Sequence, residues 1–207
     1  MPDTEIDLEL AFSWNATTKV TGGIIRTTNQ PLRRAFLREL KSLRQLTSQP
    51  LMLGLATLEA IISIIPSRLY TIRNQVAAVQ GQTGHLGSLT GAVKLKDPPK
   101  FEEVSREVSR ISQILSWYHV TWKSYLHLCD FMEQSASSSE KFEDRDIPGH
   151  LTRSPAAIKH PEIFSDLLRA DRSRLVHQLD RIDYYKELCR IQNQNVCLGC
   201  LAKCKSC

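Results

Sequence analysis

The sequence predicts a mainly α-helical protein that opens with a small β element, its long helices packed antiparallel in a coiled-coil-like bundle. Three observations lead there. Residues Ile6 to Trp14 alternate apolar with polar; beyond Pro31 the apolar period lengthens to three and four; and from Val104 to Met132 that helical spacing repeats for four heptads without a miss.

Ile6, Leu8, Leu10, Phe12 and Trp14 fall on one side of an extended chain, with Asp7, Glu9, Ala11 and Ser13 on the other. That is the pattern of a strand with one apolar face. Asn15–Lys19 turns the chain, Val20–Thr28 supplies a second β-favouring run, and Gly22-Gly23 within it predicts a bulge or bend. Residues 1–30 therefore read as a hairpin or small sheet. Pro31 suits the first position of a helix, where its missing N–H costs nothing. Leu32, Phe36, Leu40 and Leu43 follow at helical spacing, with Arg33, Arg34, Arg38 and Lys41 off that face. Pro50 pushes its predecessor out of the α region, which predicts a helix end near Ser48. A second helix should run from Pro50 toward Gln80, kinked or broken near Pro66. Residues 81–99 hold four glycines and two prolines and read as a loop.

The strongest signal comes next. Val104, Val108, Ile111, Leu115, Tyr118, Trp122, Tyr125, Cys129 and Met132 form one apolar seam, as expected of a long helix packed at a shallow angle against others. Residues 133–161, serine-rich, charged and broken by three prolines, read as a linker. A last helix should begin near Pro161, with Glu162 and Asp166 where the helix dipole favours acids. Its apolar face runs through Phe164, Leu168, Leu175, Leu179, Ile182 and Cys189 toward Val196. Residues 31–196 thus form a helical bundle, and residues 197–207 a cysteine-rich tail that is expected to be disordered.

The 207 residues suffice for one domain with a real core. Net charge is +5, but the 27 basic and 22 acidic residues are mixed, and no Lys/Arg run is interleaved with aromatics, so nucleic-acid binding is not expected. The acidic start, MPDTEIDLEL, lacks the basic and apolar regions of a secretory leader, which predicts a cytoplasmic location and reduced thiols. Leu51–Ile65 is the most apolar stretch, but it is shorter than a membrane span and carries Glu59. It reads as a buried helix.

Catalytic patterns are missing: no nucleophile elbow, no HExxH, no phosphate-binding glycine loop and no EF-hand spacing. The protein reads as a non-enzyme with no cofactor, and no residue is assigned a catalytic, cofactor-binding or metal-binding role. Glu102-Glu103 and Asp144/Asp146 solvate a helix start and a loop rather than facing each other. Trp117, Tyr118, Trp122 and Tyr125 could suggest an aromatic box, yet they lie at or beside the seam and read as core packing. His119 and His127 have no ligand partner at metal spacing.

The order of these elements resembles a known family. LELAFSWNATTKVTGGIIRTT leads into PLRRAFLRELKSLRQLTSQPLMLGLATLEAI, and FEEVSREVSRISQILSWYHVTWKSYLHLCDFMEQ is followed by DLLRADRSRLVHQLDRIDYYKELCRIQNQNV. Over residues 5–196 this is similar to the cytoplasmic half of fungal CorA-like proteins, relatives of CorA-type magnesium transporters. The resemblance implies a soluble helical domain that packs round a symmetric ring, hence a homo-oligomer formed through its long helices. It also implies a stalk helix leading into two membrane helices, joined by a Gly-Met-Asn loop that meets the ion. That tripeptide does not occur here, so the chain is not expected to transport ions alone. Asp180 and Asp183, the positions one would consider for regulatory divalent ions, lie on a solvated helix and are not assigned as ligands.

The chain closes on NVCLGCLAKCKSC, with Cys197, Cys200, Cys204 and Cys207 spaced C-x2-C-x3-C-x2-C. The ligand count suits zinc or an iron–sulfur cluster, which makes a scaffold with a zinc-binding tail the alternative to the transporter reading. Two C-x2-C pairs usually stand a dozen or more residues apart, however. Continued as a helix, the four cysteines would form a stripe too spread for one ion. Acylation beside Lys203 and Lys205 is a further alternative. The codons of Val196-Cys197 also have the form GTN-TGY, which includes common splice-donor sequences. A retained intron would then replace membrane-coding sequence with a short tail.

Overall fold

The computed structural model describes residues 8–15, 18, 20–46, 49–83, 101–143 and 160–204. Strands β1 (Glu9–Asn15) and β2 (Val20–Arg26) pair antiparallel, one residue to one from Glu9↔Arg26 to Asn15↔Val20. Asn15 Oδ1 accepts from the Thr18 amide at 3.0 Å in the turn. The register is unbroken at Gly22 and Gly23, so the bulge expected there is absent. Gly23 has a different reason to be glycine. A Cβ there would stand 2.7 Å from Leu53 Cδ1 and 2.9 Å from the Ala11 carbonyl oxygen. Leu10, Trp14, Thr21 and Ile25 are half-buried, while Ile24 on the opposite face is 75% exposed. Thr21 Oγ1 donates to the Gln49 carbonyl at 3.2 Å, tying the hairpin to the start of the helical region.

Helix α1 (Gln30–Ser42) is capped by Asn29, whose side chain accepts from the Leu32 amide at 3.0 Å, and it carries proline in its first turn. It buries Leu32, Ala35 and Phe36. The helix ends before the position expected from Pro50. The Leu43 amide donates to Glu39 and that of Leu46 to Leu43, closing a 3₁₀ turn (Arg44–Leu46) that buries Leu46. Helix α2 (Met52–Gln82) is not broken at Pro66 and continues into the first two residues of the expected loop at 81–99. Pro66 faces solvent, where water can bond the carbonyl that its ring leaves unpaired. The rest of that loop, from 84, lies outside the described residues.

Helix α3 (Phe101–Glu143) buries every seam position predicted for it except Tyr125, which is half-buried. It also continues through residues 133–143, where a linker was expected. Ser, Ala, Glu and Lys there carry only small helix penalties, and no Gly or Pro intervenes before Gly149 and Pro148. Helix α4 (His160–Cys204) starts as predicted, but it extends through Cys204 in place of the expected disordered tail. Lys205–Cys207 lie outside the described residues, as do Asp144 and Asp146.

The chain divides into two compact units, and each long helix gives one segment to each. The first comprises Met1–Ile65 and Ser124–Val176; the second comprises Pro66–Lys123 and His177–Cys207. The core of the first holds Leu32, Leu55, Leu58, Ile61, Met132 and Phe164; a Cβ on Gly54 of α2 would press 2.8 Å from Met132 Sδ of α3. The core of the second centres on Leu69, Ile111, Leu115, Tyr118, Trp122 and Ile182. There α3 and α4 run antiparallel: His119 meets Asp183 at 3.4 Å, while Ser112, one turn and more earlier, meets Cys189. Each such Leu or Ile is worth about 1.5–3 kcal/mol of burial, so these seams dominate the helices' stability.

Candidate functional site

Buried positions on α4 follow one seam: Phe164, Leu168, Asp171, Leu175, Leu179, Ile182, Tyr185, Cys189, Gln192 and Val196. Two of them are polar. Asp171 is 0% exposed, and neither carboxyl oxygen has a hydrogen-bond donor. Such a charge could not remain unpaired in an apolar core without a large penalty, so the groups around it decide its state.

Those groups come from four helices of the first unit. Arg174, one turn along α4, brings Nη2 to 3.4 Å from Asp171 Oδ1, an ion pair without hydrogen-bond alignment. Its better bonds go to Glu59 of α2: Nη1 donates to Oε2 at 2.8 Å and Nη2 to Oε1 at 3.2 Å. Glu59 is 14% exposed and its carboxyl lies beside that of Asp171, while Glu39 of α1 adds a further negative charge. Burial, then the Glu59 charge, push the Asp171 carboxyl up to about 7, against a smaller pull from Arg174. A proton on one of the two carboxyls turns their repulsion into an O–H···O hydrogen bond and supplies the donor that Asp171 lacks.

Cys129 of α3 faces the same cluster. Burial and the neighbouring Asp171 and Asp130 push its thiol up to about 12 despite Arg172, which itself donates from Nε to Asp130 Oδ1 at 3.1 Å. A thiol so held stays protonated at neutral pH, which keeps it a weak nucleophile. The arrangement is a buried carboxyl, Asp171, set beside Glu59 and the half-exposed guanidinium of Arg174. In the second unit Gln192, 2% exposed, receives a 2.7 Å hydrogen bond from Thr83 Oγ1.

The residues weighed from sequence are dispersed. Tyr118 and Trp122 are buried with ring centroids 5.2 Å apart, while Trp117 is 38% exposed, so the aromatics pack as one helix's core face rather than enclosing a ligand. His119 is held by Asp183, which also meets Lys186 at 3.7 Å; His127 and Asp180 are exposed. Glu102 pairs with Arg106 on its own helix. Among the described residues no three His, Cys, Asp or Glu side chains gather as metal ligands. On a helical backbone Cys197 and Cys204 stand about 10 Å apart, far beyond what bonds of about 2.3 Å to one ion allow; Cys207 lies outside the described residues.

Sequence reasoning missed Asp171, Glu59 and Gln192 as a group. One signal was present: the predicted apolar face of the last helix jumps seven residues from Leu168 to Leu175, and the seam position it skips is Asp171. The chain matches no family model, no curated protein and no solved structure.

Proposed function

We propose that this chain is the helical cytoplasmic domain of a CorA-like divalent-cation (Mg2+) transporter, serving assembly and not conduction. The observation that carries the reading is α4: 45 residues of uninterrupted helix with a buried seam from Phe164 to Val196. A stalk that links a folded domain to membrane helices needs such a rod. The small hairpin ahead of long helices agrees with the resemblance described above. Helix α2 is long and apolar enough to cross a membrane, with a mean hydropathy of 1.5, but 67% of that window is covered by the protein itself, as befits a core helix.

Assembly has surface to work with. In the second unit Val120 is 65% exposed and Tyr184 61%; large apolar side chains this open are available to a second copy. Light scattering across a concentration series tests this, with a closed oligomer expected. A strictly monomeric species at high concentration refutes the assembly role. If that is found, the second reading, a helical scaffold with no transport role, takes its place, because the same exposed side chains serve any helical partner. Zinc analysis of the protein against a version ending at Val196 tests whether the cysteines add a metal to that scaffold.

A further inference from the structure

Helix α1 and the 3₁₀ turn after it concentrate charge of one sign. Arg33, Arg34, Arg38, Lys41 and Arg44 supply five cations in twelve residues, all exposed, against the single acid Glu39. Arg38 is bound to Glu39, its Nε donating at 2.7 Å. No ion pair holds Arg33, Arg34, Lys41 or Arg44 among the described residues. The opposite face of α1, with Leu32, Ala35 and Phe36, is buried, so the cations have nowhere to turn but outward.

Local helix electrostatics explain only part of this. Cations in a last turn complement the helix dipole, which accounts for Lys41 and Arg44. Arg33 and Arg34 sit near the N-terminal end, where the dipole works against them, and the first turn holds no acid. Charge placed against the helix's own preference, and continued to its far end, leaves a field that attracts an external anion. At the C-terminal end of this face the surface dips into an open depression of about 440 Å³ lined by Arg38, Lys41, Ser42, Arg44 and Gln45. The Ser42 hydroxyl donates to the Glu39 carbonyl at 2.8 Å, which leaves the ammonium of Lys41, the guanidinium of Arg44 and the amide of Gln45 as donors for a ligand. Guanidinium and ammonium groups converging on one hollow suit phosphate. The exposed face offers no aromatic ring on which a nucleic-acid base could stack.

We propose that the depression between the end of α1 and the 3₁₀ turn binds a polyphosphorylated group, with Lys41 and Arg44 as its principal contacts and Arg33 and Arg34 extending the attractive field along the helix. The headgroup of a phosphoinositide and a soluble inositol phosphate present the same chemistry. Two probes separate these sources: inositol hexakisphosphate by calorimetry, and phosphatidylcholine vesicles with and without phosphatidylinositol bisphosphate by co-sedimentation, both at about 0.1 M salt, where charges more than about 10 Å apart are screened. Binding of both probes, or of one alone, supports the site and identifies the source. The double variant Lys41→Gln/Arg44→Gln should weaken it by about tenfold or more. The control Arg110→Gln/Arg190→Gln removes the same charge from α3 and α4 and should change it by less than about twofold. All four side chains are exposed, so each variant should fold, which circular dichroism verifies. No binding of either probe overturns the proposal. So does equal weakening in the two double variants, or tighter binding of an RNA oligonucleotide than of both phosphate probes.

Discussion

Asp171 and Gln192 occupy the same kind of position on α4, one in each compact unit, and their surroundings treat them differently. Gln192 meets a hydroxyl: Thr83 Oγ1 lies 2.7 Å from its Oε1, and a neutral donor–acceptor pair is complete at any pH. Asp171 meets a second carboxyl, Glu59, and an arginine that bonds Glu59 more closely than itself. Its hydrogen bonding is complete only when the two acids hold a proton between them. Burying an amide in a seam therefore costs little once one partner is supplied. Burying a carboxylate makes the packing of the first unit depend on proton concentration. Polar seam positions can set register in helical bundles, and both residues are placed to do so, but only Asp171 adds a titration.

The apolar reference is the first point to measure. Trp122, 0% exposed in the second unit, should cost about 3–5 kcal/mol when replaced by alanine, read from urea unfolding. If polar seam positions matter as much as apolar ones, that loss will not exceed those below. Next comes the pH response of the first unit. Because the native Asp171 carboxyl is raised from 3.8 to about 7, the folded chain holds a proton that the unfolded chain has released between those values. The associated stability is full below about pH 4 and is lost as pH rises through about 7, by at most about 1.4 kcal/mol per unit and about 4 kcal/mol in all. Asp171→Asn should flatten that part of the pH profile of urea midpoints. Asp171→Leu should be more stable than the parent at pH 8, by about 1–3 kcal/mol. A parent profile that matches the Asn variant from pH 4 to pH 8 would remove the proton from the description.

The Gln192 pair should respond less and without pH dependence. Thr83→Val leaves the buried amide oxygen without its donor, at a cost of about 1–2 kcal/mol; a double-mutant cycle with Gln192→Leu should show that the losses are coupled. The last measurement reads reactivity, not stability, and concerns the thiols. With Cys129 pushed up to about 12, and Cys189 also raised by burial, the Cys129 thiolate fraction at pH 8 is about three orders of magnitude below that of a free cysteine. Brief alkylation followed by peptide mapping should label exposed Cys197 and spare both.

Period-based reading located the hairpin, α1, the seam of α3 and the start of α4, because each repeats a local pattern within a few turns. It failed at boundaries, where no local residue forbids either state: residues 133–143 and 197–204 are helical although serine or cysteine content suggested otherwise. It also misjudged Gly23, whose constraint comes from Leu53, thirty positions later, and not from the strand itself. The buried acid cluster was nearly invisible. Arg174 and Glu59 are 115 residues apart, and a list of apolar positions passes over Asp171 because it is polar. The spacing of α1 places its cations off the apolar face, and the 3₁₀ turn after it sets Arg44 beside Arg38 and Lys41 in the lining of one hollow.

By itself the sequence determined the type of each main element and which stripe of it is apolar, though not where it ends, since period and residue size act between near neighbours. Tertiary structure alone decided that the Asp171 carboxyl lies beside Glu59 and Arg174 and that Gln192 finds Thr83. The physical reason is that desolvation and Coulomb energy depend on what other helices bring within a few ångströms, and spacing along one chain carries no record of that.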